Sequence, residues 1–128
     1  MCLFMFCSSA NAFTVPVRYV YDGDTIMITL PTLPKPLSNA SVRIMGIDTP
    51  ELRGKCDSET AAAKLARDYT KSLLGEMKEI ELTNFSWDKY GGRIDADVMI
   101  NGKDLAASLI ENNHARPYKG GARSSWCK

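Results

Sequence analysis

Ten residues, Val42-Arg43-Ile44-Met45-Gly46-Ile47-Asp48-Thr49-Pro50-Glu51, constrain what this chain can fold into more than any other stretch. Val42 and Ile44 fall on one face of an extended chain, with Met45 as a further apolar residue, and Arg43 falls on the opposite face. A buried strand over residues 40–47 is predicted. Pro50 has no amide proton for a ladder and biases the residue before it, so pairing must stop at Thr49. Asp48 and Glu51 are then fixed at a strand end near Arg43. Two carboxylates and a guanidinium at the mouth of a rigid strand read as a site, not as solvated surface.

The segments on either side supply a sheet. Residues 13–21 alternate apolar and polar side chains, with Val15, Val17 and Tyr19 on one face and Pro16 placing the strand near an edge. Asp22-Gly23-Asp24 is a turn, and residues 25–30 return as a second strand, so Asp24 sits at or just beyond a hairpin tip. Three prolines make residues 31–39 a loop. After the central strand, Asp57 or Ser58 is a candidate helix N-cap. Ala62, Leu65, Ala66, Tyr69 and Leu73 then recur at helical spacing as a core-facing stripe, and Gly75 fits the residue past the helix end. Residues 78–85 and 93–100 alternate again around an Asp88–Gly92 turn. Residues 103–112 form a short helix with Leu105, Leu109 and Ile110 inward, Asn113 caps it, and an irregular tail ends in Trp126-Cys127. Five short strands with a helix between the third and fourth is the order of an OB-type barrel, an α+β, mainly β fold.

At 128 residues the chain has room for one domain with a modest core, and its 45% hydrophobic and 24% charged content fits an ordinary globular protein. The net charge of +1 gives no basic footprint, so contact with nucleic acid would rest on local clusters of Arg and Lys. Residues 1–12 carry no charge and end in Ala10-Asn11-Ala12, which resembles the end of a secretory signal peptide cleaved before Phe13, although the usual basic start is missing. On that reading residues 13–128 are the mature domain, exported to the periplasm or secreted; a buried N-terminal strand is the other reading. Cys2 and Cys7 would leave with the signal, and Cys56 and Cys127 would remain. In an exported protein the remaining pair suggests a disulfide, with two free thiols as the alternative. Such a bond would close about 70 residues and contribute roughly 4 kcal/mol on the chain-entropy account. Two cysteines and a lone His114 do not make a zinc site.

Asp24 and Asp48 are hard oxygen donors at two strand ends that a small barrel can bring together. With a backbone carbonyl and waters they suit Ca²⁺. Arg43, Arg93 and Glu51 complete the requirements of phosphodiester hydrolysis. Guanidiniums match two phosphate oxygens and stabilise the charge that builds in the transition state, and a free carboxylate aligns and deprotonates water. His114 is not needed for this chemistry. Trp87 and Trp126 read as packing residues. Lys35, Arg53, Lys55, Lys119 and Arg123 read as solvated charge or as a rim that follows a nucleic-acid backbone.

Asp22-Gly23-Asp24-Thr25, Arg43 through Asp48-Thr49-Pro50-Glu51, and Asp88-Lys89-Tyr90-Gly91 with Arg93 resemble, in order, three blocks of the staphylococcal nuclease family. The resemblance runs from about Val17 to Tyr118. It implies that Asp24, Asp48 and the Thr49 carbonyl bind Ca²⁺, with Asp22 a nearby carboxylate behind them. It also implies that Arg43 and Arg93 hold the phosphate and that Glu51 is the general base. The expected activity is endonucleolytic cleavage of DNA and RNA, with little sequence preference and 3′-phosphate ends, by a monomer. Tyr90 and Tyr118 are candidates for nucleotide contact or for ordinary packing. The extra Gly92 before Arg93 makes that arginine's reach the least fixed feature. A non-catalytic OB-fold module that binds nucleic acid is the alternative, and an oligosaccharide or peptide binder is a third reading.

Overall fold

A computed structural model describes residues 12–89 and 91–128. Residues 1–11 of the expected leader, and Tyr90, lie outside the described residues. The elements run β1 (Ala12–Asp22), β2 (Thr25–Thr29), β3 (Asn39–Ile44), β4 (Ile47–Asp48), α1 (Asp57–Leu74), β5 (Glu79–Trp87), β6 (Arg93–Ile100), β7 (Lys103–Asp104), α2 (Leu105–Glu111) and β8 (Arg116–Pro117).

The sheet order is β3-β2-β1-β5-β6-β7, and β3 also pairs with β6 in parallel. That last pairing closes β1, β2, β3, β5 and β6 into a five-stranded barrel of OB type. Closure requires strands that bend. β1 achieves this by pairing with β5 over residues 12–16 and with β2 over residues 17–22, with register shifts at Val17/Tyr19 and Val20/Asp22. A third irregularity, between Thr83 and Ser86 in β5, includes Asn84 at φ 51°.

Alternation places one face of each strand inside. Val15, Ile26, Ile28, Val42, Ile44, Ile80, Leu82, Ile94, Ala96, Val98 and Ile100 are all buried in one core, which α2 caps with Leu105 and Leu109. Among the described residues no helix is long and apolar enough to cross a membrane.

Four local expectations are corrected. The central strand is shorter than residues 40–47. It ends at Ile44, turns through Met45 and Gly46 (φ 83°), and resumes as the two-residue β4. Met45, read as an apolar strand residue, is 46% exposed at that turn. The α1 stripe is rotated by about one residue from the predicted one: Glu59, Ala63, Ala66, Thr70 and Leu74 are buried, and Leu65 is 62% exposed. Alanines at 61–63 leave the periodicity ambiguous, because a small residue satisfies either face. The N-cap is Cys56, with no side-chain capping bond, rather than Asp57 or Ser58. Lys103 and Asp104, taken as the start of the second helix, instead extend the sheet against Met99 and Ile100.

Candidate functional site

The β1–β2 tip and the end of β3 meet because their strands pair. Thr25 is opposite Arg43, and the Ile44 amide donates to the Asp24 carbonyl at 2.9 Å. The tip also packs directly on the residues after β4. A Cβ placed on Gly23 would lie 3.1 Å from the Thr49 Cβ and Cγ2 and 3.0 Å from the Ala66 Cβ, so glycine lets the turn close here without displacing those side chains. The hairpin tip is thereby packed against Thr49. Asp22, Asp24, Asp48 and Thr49 are all buried.

This concentration of buried acid is only partly neutralised. Arg43 Nε lies 3.2 Å from Asp24 Oδ2, close enough for an ion pair but at an angle that makes no hydrogen bond. The Thr25 hydroxyl donates to Asp24 Oδ1 at 3.0 Å. Asp22 receives the Asp24 amide at 3.3 Å, yet its carboxyl is pushed up to about 7, first by burial and then by the neighbouring Asp24 charge. Thr49 Oγ1 is buried without a hydrogen-bond partner. Buried carboxylates and an orphaned hydroxyl are the donor chemistry that a hard divalent cation takes, but the carboxylates of Asp22, Asp24 and Asp48 do not all lie within 4.8 Å of one another. Among the described residues the one group of three metal-type donors within 4.8 Å is Cys56, Glu59 and Cys127. Its two sulfurs are bonded to each other, so it offers no thiolate ligands.

Arg93 lies across the parallel β3–β6 pairing, where Ser41 is opposite Arg93 and Arg43 is opposite Asp95. Both guanidiniums therefore rise from one face. Arg93 Nη2 pairs with Asp88 Oδ1 at 3.0 Å, and its Nε is 3.7 Å from Asp95 Oδ1. Arg43 and Arg93 line a common open pocket of about 540 Å³ with Tyr118, Lys119 and Gly120. The Tyr118 hydroxyl is committed to the Gly121 carbonyl at 2.6 Å.

Glu51 lines a second, smaller pocket of about 170 Å³ with Lys55, Glu59, Arg123 and Trp126. It is therefore not in the lining of the two-arginine pocket, where the sequence predicts it to join Arg43 and Arg93. Its placement depends on a residue that sequence reasoning missed. Glu59, at the start of α1, accepts the Glu51 amide at 3.1 Å and the Lys55 amide at 3.0 Å. Those two backbone bonds hold the Glu59 carboxyl below its usual range. The spacing of Cys56 to Glu59 is that of an N-cap and its third helical residue, the one signal that could have revealed the clamp.

The tail also departs from expectation. Arg123, read as rim or solvated charge, donates from Nε to Asp48 Oδ1 at 2.7 Å and also pairs with it through Nη2; its Nη1 reaches Glu51 Oε2 at 2.7 Å. Burial opposes the arginine's charge, but the hydrogen bonds and negative charge of Asp48 and Glu51 outweigh it and raise the Arg123 pKa. Trp126, read as packing, donates its indole N–H to Asp48 Oδ2 at 2.9 Å. Cys56 and Cys127 are joined in a disulfide. His114 packs against Tyr69 with ring centroids 5.0 Å apart and planes tilted by 36°, and burial lowers its pKa.

Residues 41–125 match the family described as staphylococcal nuclease homologue. No individually curated protein matches the chain. The matched span covers about two thirds of the 128 residues and contains Arg43, Asp48, Thr49, Glu51, Arg93 and Tyr118, while Asp22 and Asp24 join them through strand pairing. With the barrel and the matched span in agreement, the chain belongs to the staphylococcal nuclease family.

Proposed function

We propose that this member of a nuclease family is a Ca²⁺-dependent endonuclease that hydrolyses DNA and RNA with little sequence preference and leaves 3′-phosphate ends. The observation that carries the reading is that Arg43, ion-paired with Asp24, and Arg93 line one open pocket.

Arg43 and Arg93 engage the non-bridging oxygens of the scissile phosphate and stabilise the added negative charge of the five-coordinate transition state. Asp24, Asp48 and the Thr49 carbonyl would hold the cation, with Asp22 supporting them from behind. When bound, the ion polarises the phosphate and lowers the cost of activating water. Glu51 takes the proton from the attacking water. Tyr118 offers a ring against the nucleotide, and Tyr90 is proposed for the same kind of contact. Contacts confined to phosphate and base faces explain the lack of sequence preference. Export to an oxidising compartment is consistent with the Cys56–Cys127 bond.

Plasmid DNA and a long RNA are incubated with the full chain in Ca²⁺ or in chelator. Cleavage that needs Ca²⁺ and disappears in Glu51→Gln and Arg43→Ala, with folding retained, is the expected result. Binding without cleavage would replace this reading with that of a non-catalytic binding module.

A further inference from the structure

Both oxygens of the Asp48 carboxylate are taken by the C-terminal tail. Arg123 accounts for Oδ1 and Trp126 for Oδ2, and the same guanidinium engages Glu51. A residue expected to ligate a cation and a residue expected to accept a proton are bridged by one internal cation. A carboxylate has about four lone-pair sites, and three of those on Asp48 face these donors. A divalent ion placed there would also meet the Arg123 charge at contact range.

The tail does not reach this position by chance collapse. β8 pairs Arg116 with Asp48 and Pro117 with Ile47, which starts the tail beside the site. Arg116 then turns the chain back on itself. Its guanidinium donates to the Ser124 carbonyl at 3.2 Å and the Ser125 carbonyl at 3.0 Å, and lies 3.7 Å over the Trp126 ring. The far end is tied down by the Cys56–Cys127 bond and by the Lys128 amide on the Ser58 hydroxyl at 3.2 Å. Arg123 is four residues from one tethered cysteine, and Glu51 is five residues from the other. The covalent link therefore keeps the guanidinium at a high effective concentration over its carboxylates.

We propose that residues 123–127 form a disulfide-held strap whose Arg123 competes with the divalent cation for Asp48 and withholds Glu51 from water. This rests on the metal-site reading given above and names a regulation of that site. Opening requires a thiol reductant. Two thiol equivalents give up two electrons and two protons, the Cys56–Cys127 S–S bond breaks, two cysteine thiols form, and the reductant departs as its own disulfide. The freed tail loses one of its two anchors, and the cation gains the advantage.

The test is calorimetric titration of Ca²⁺ into the full chain at fixed pH, without substrate. The forms compared are the oxidised protein, Arg123→Ala with the disulfide intact, the dithiol-reduced protein, and Asp48→Asn. Circular dichroism verifies folding of each. Loss of charge-assisted bonds from the competing state should tighten Ca²⁺ binding about ten-fold or more in Arg123→Ala. Reduction should move affinity in the same direction by a smaller factor. In a Trp87→Phe background, Ca²⁺ should also shift the Trp126 emission of the oxidised protein as its N–H leaves Asp48. Binding that depends on Asp48 but is unchanged or weakened in Arg123→Ala overturns the strap while leaving the metal site standing. Tighter binding in Arg123→Ala with none on reduction overturns the redox control. Equal binding by wild type and Asp48→Asn overturns the site reading itself.

Discussion

Arg43 is held from behind, and that is what makes it informative. Its Nε rests against Asp24, and it lines the same pocket as Arg93. A lysine at this position would keep the charge and lose the fork, so Arg43→Lys separates electrostatics from geometry. Turnover is expected to fall about 10²-fold or more in Arg43→Ala, by analogy with removal of one transition-state donor, with only partial recovery in Arg43→Lys. Steady-state cleavage of a fluorogenic oligonucleotide measures both. Glu51→Gln removes the proton acceptor and should cost about 10²–10⁴-fold in kcat with little change in KM. A fall confined to KM would assign Glu51 to binding rather than to proton transfer. The sequence marked both residues as candidates because a strand followed by a proline stop flanks them, but the break after Ile44 separates them and they line different pockets. Arg123 was not marked. Nothing local distinguishes an arginine in a Gly- and Ser-rich tail from a solvated one, and its partners lie 72 and 75 residues away.

At the scale of elements, the site depends on two close approaches, each of which yields an expected outcome. The first is the hairpin tip on Thr49. Gly23→Ala would put a methyl about 3 Å from the Thr49 and Ala66 side chains, so tip and neighbours must part by a few tenths of an ångström. Ca²⁺ affinity should fall with little loss of secondary structure, as read by calorimetry and circular dichroism. The second is the Glu59 clamp from α1 to the loop at residues 51–55. Its folded pKa is lowered below 4.5 by the Lys55 and Glu51 amides. A carboxyl bound more weakly to protons when folded stabilises the fold fully above its unfolded pKa. That contribution is lost as pH falls through the lower folded value. Wild type should therefore lose stability in acid more steeply than Glu59→Gln. At neutral pH the variant should be less stable by on the order of 1–3 kcal/mol, for the loss of bonds to a charged acceptor. Thermal unfolding from pH 7 down to pH 3 checks both signs. Strand existence and order were readable from alternation, because alternation is what burial of one face requires. The phase of α1 was not, since adjacent alanines fit a core from either side. Nor was the break of the central strand at Met45, because apolar character continued across a turn that only Gly46 marked.

For the whole molecule, what decides the architecture is closure. One parallel pairing, β3 with β6, joins residues some fifty positions apart and converts an open sheet into a barrel. The same pairing sets Arg43 and Arg93 side by side, so fold and site are completed in one step. The Cys56–Cys127 bond performs the corresponding role for the tail, joining residues 71 positions apart across the start of α1. Cross-linking a loop of that size removes conformations from the unfolded chain, worth about 4 kcal/mol. For a domain of this size that corresponds to roughly 10–20 °C in melting temperature. The barrel core lies elsewhere, among strands the disulfide does not touch, so its loss should lower stability without changing the native sheet. Cys56→Ser with Cys127→Ser is expected to melt lower by that amount in calorimetry, with far-ultraviolet dichroism preserved at 25 °C. The denaturant m-value should also rise, because an uncrosslinked chain exposes more surface on unfolding. An unchanged melting temperature would mean that the tail is anchored by Arg116 and β8 alone, and that the covalent bond adds nothing the backbone pairing had not already secured.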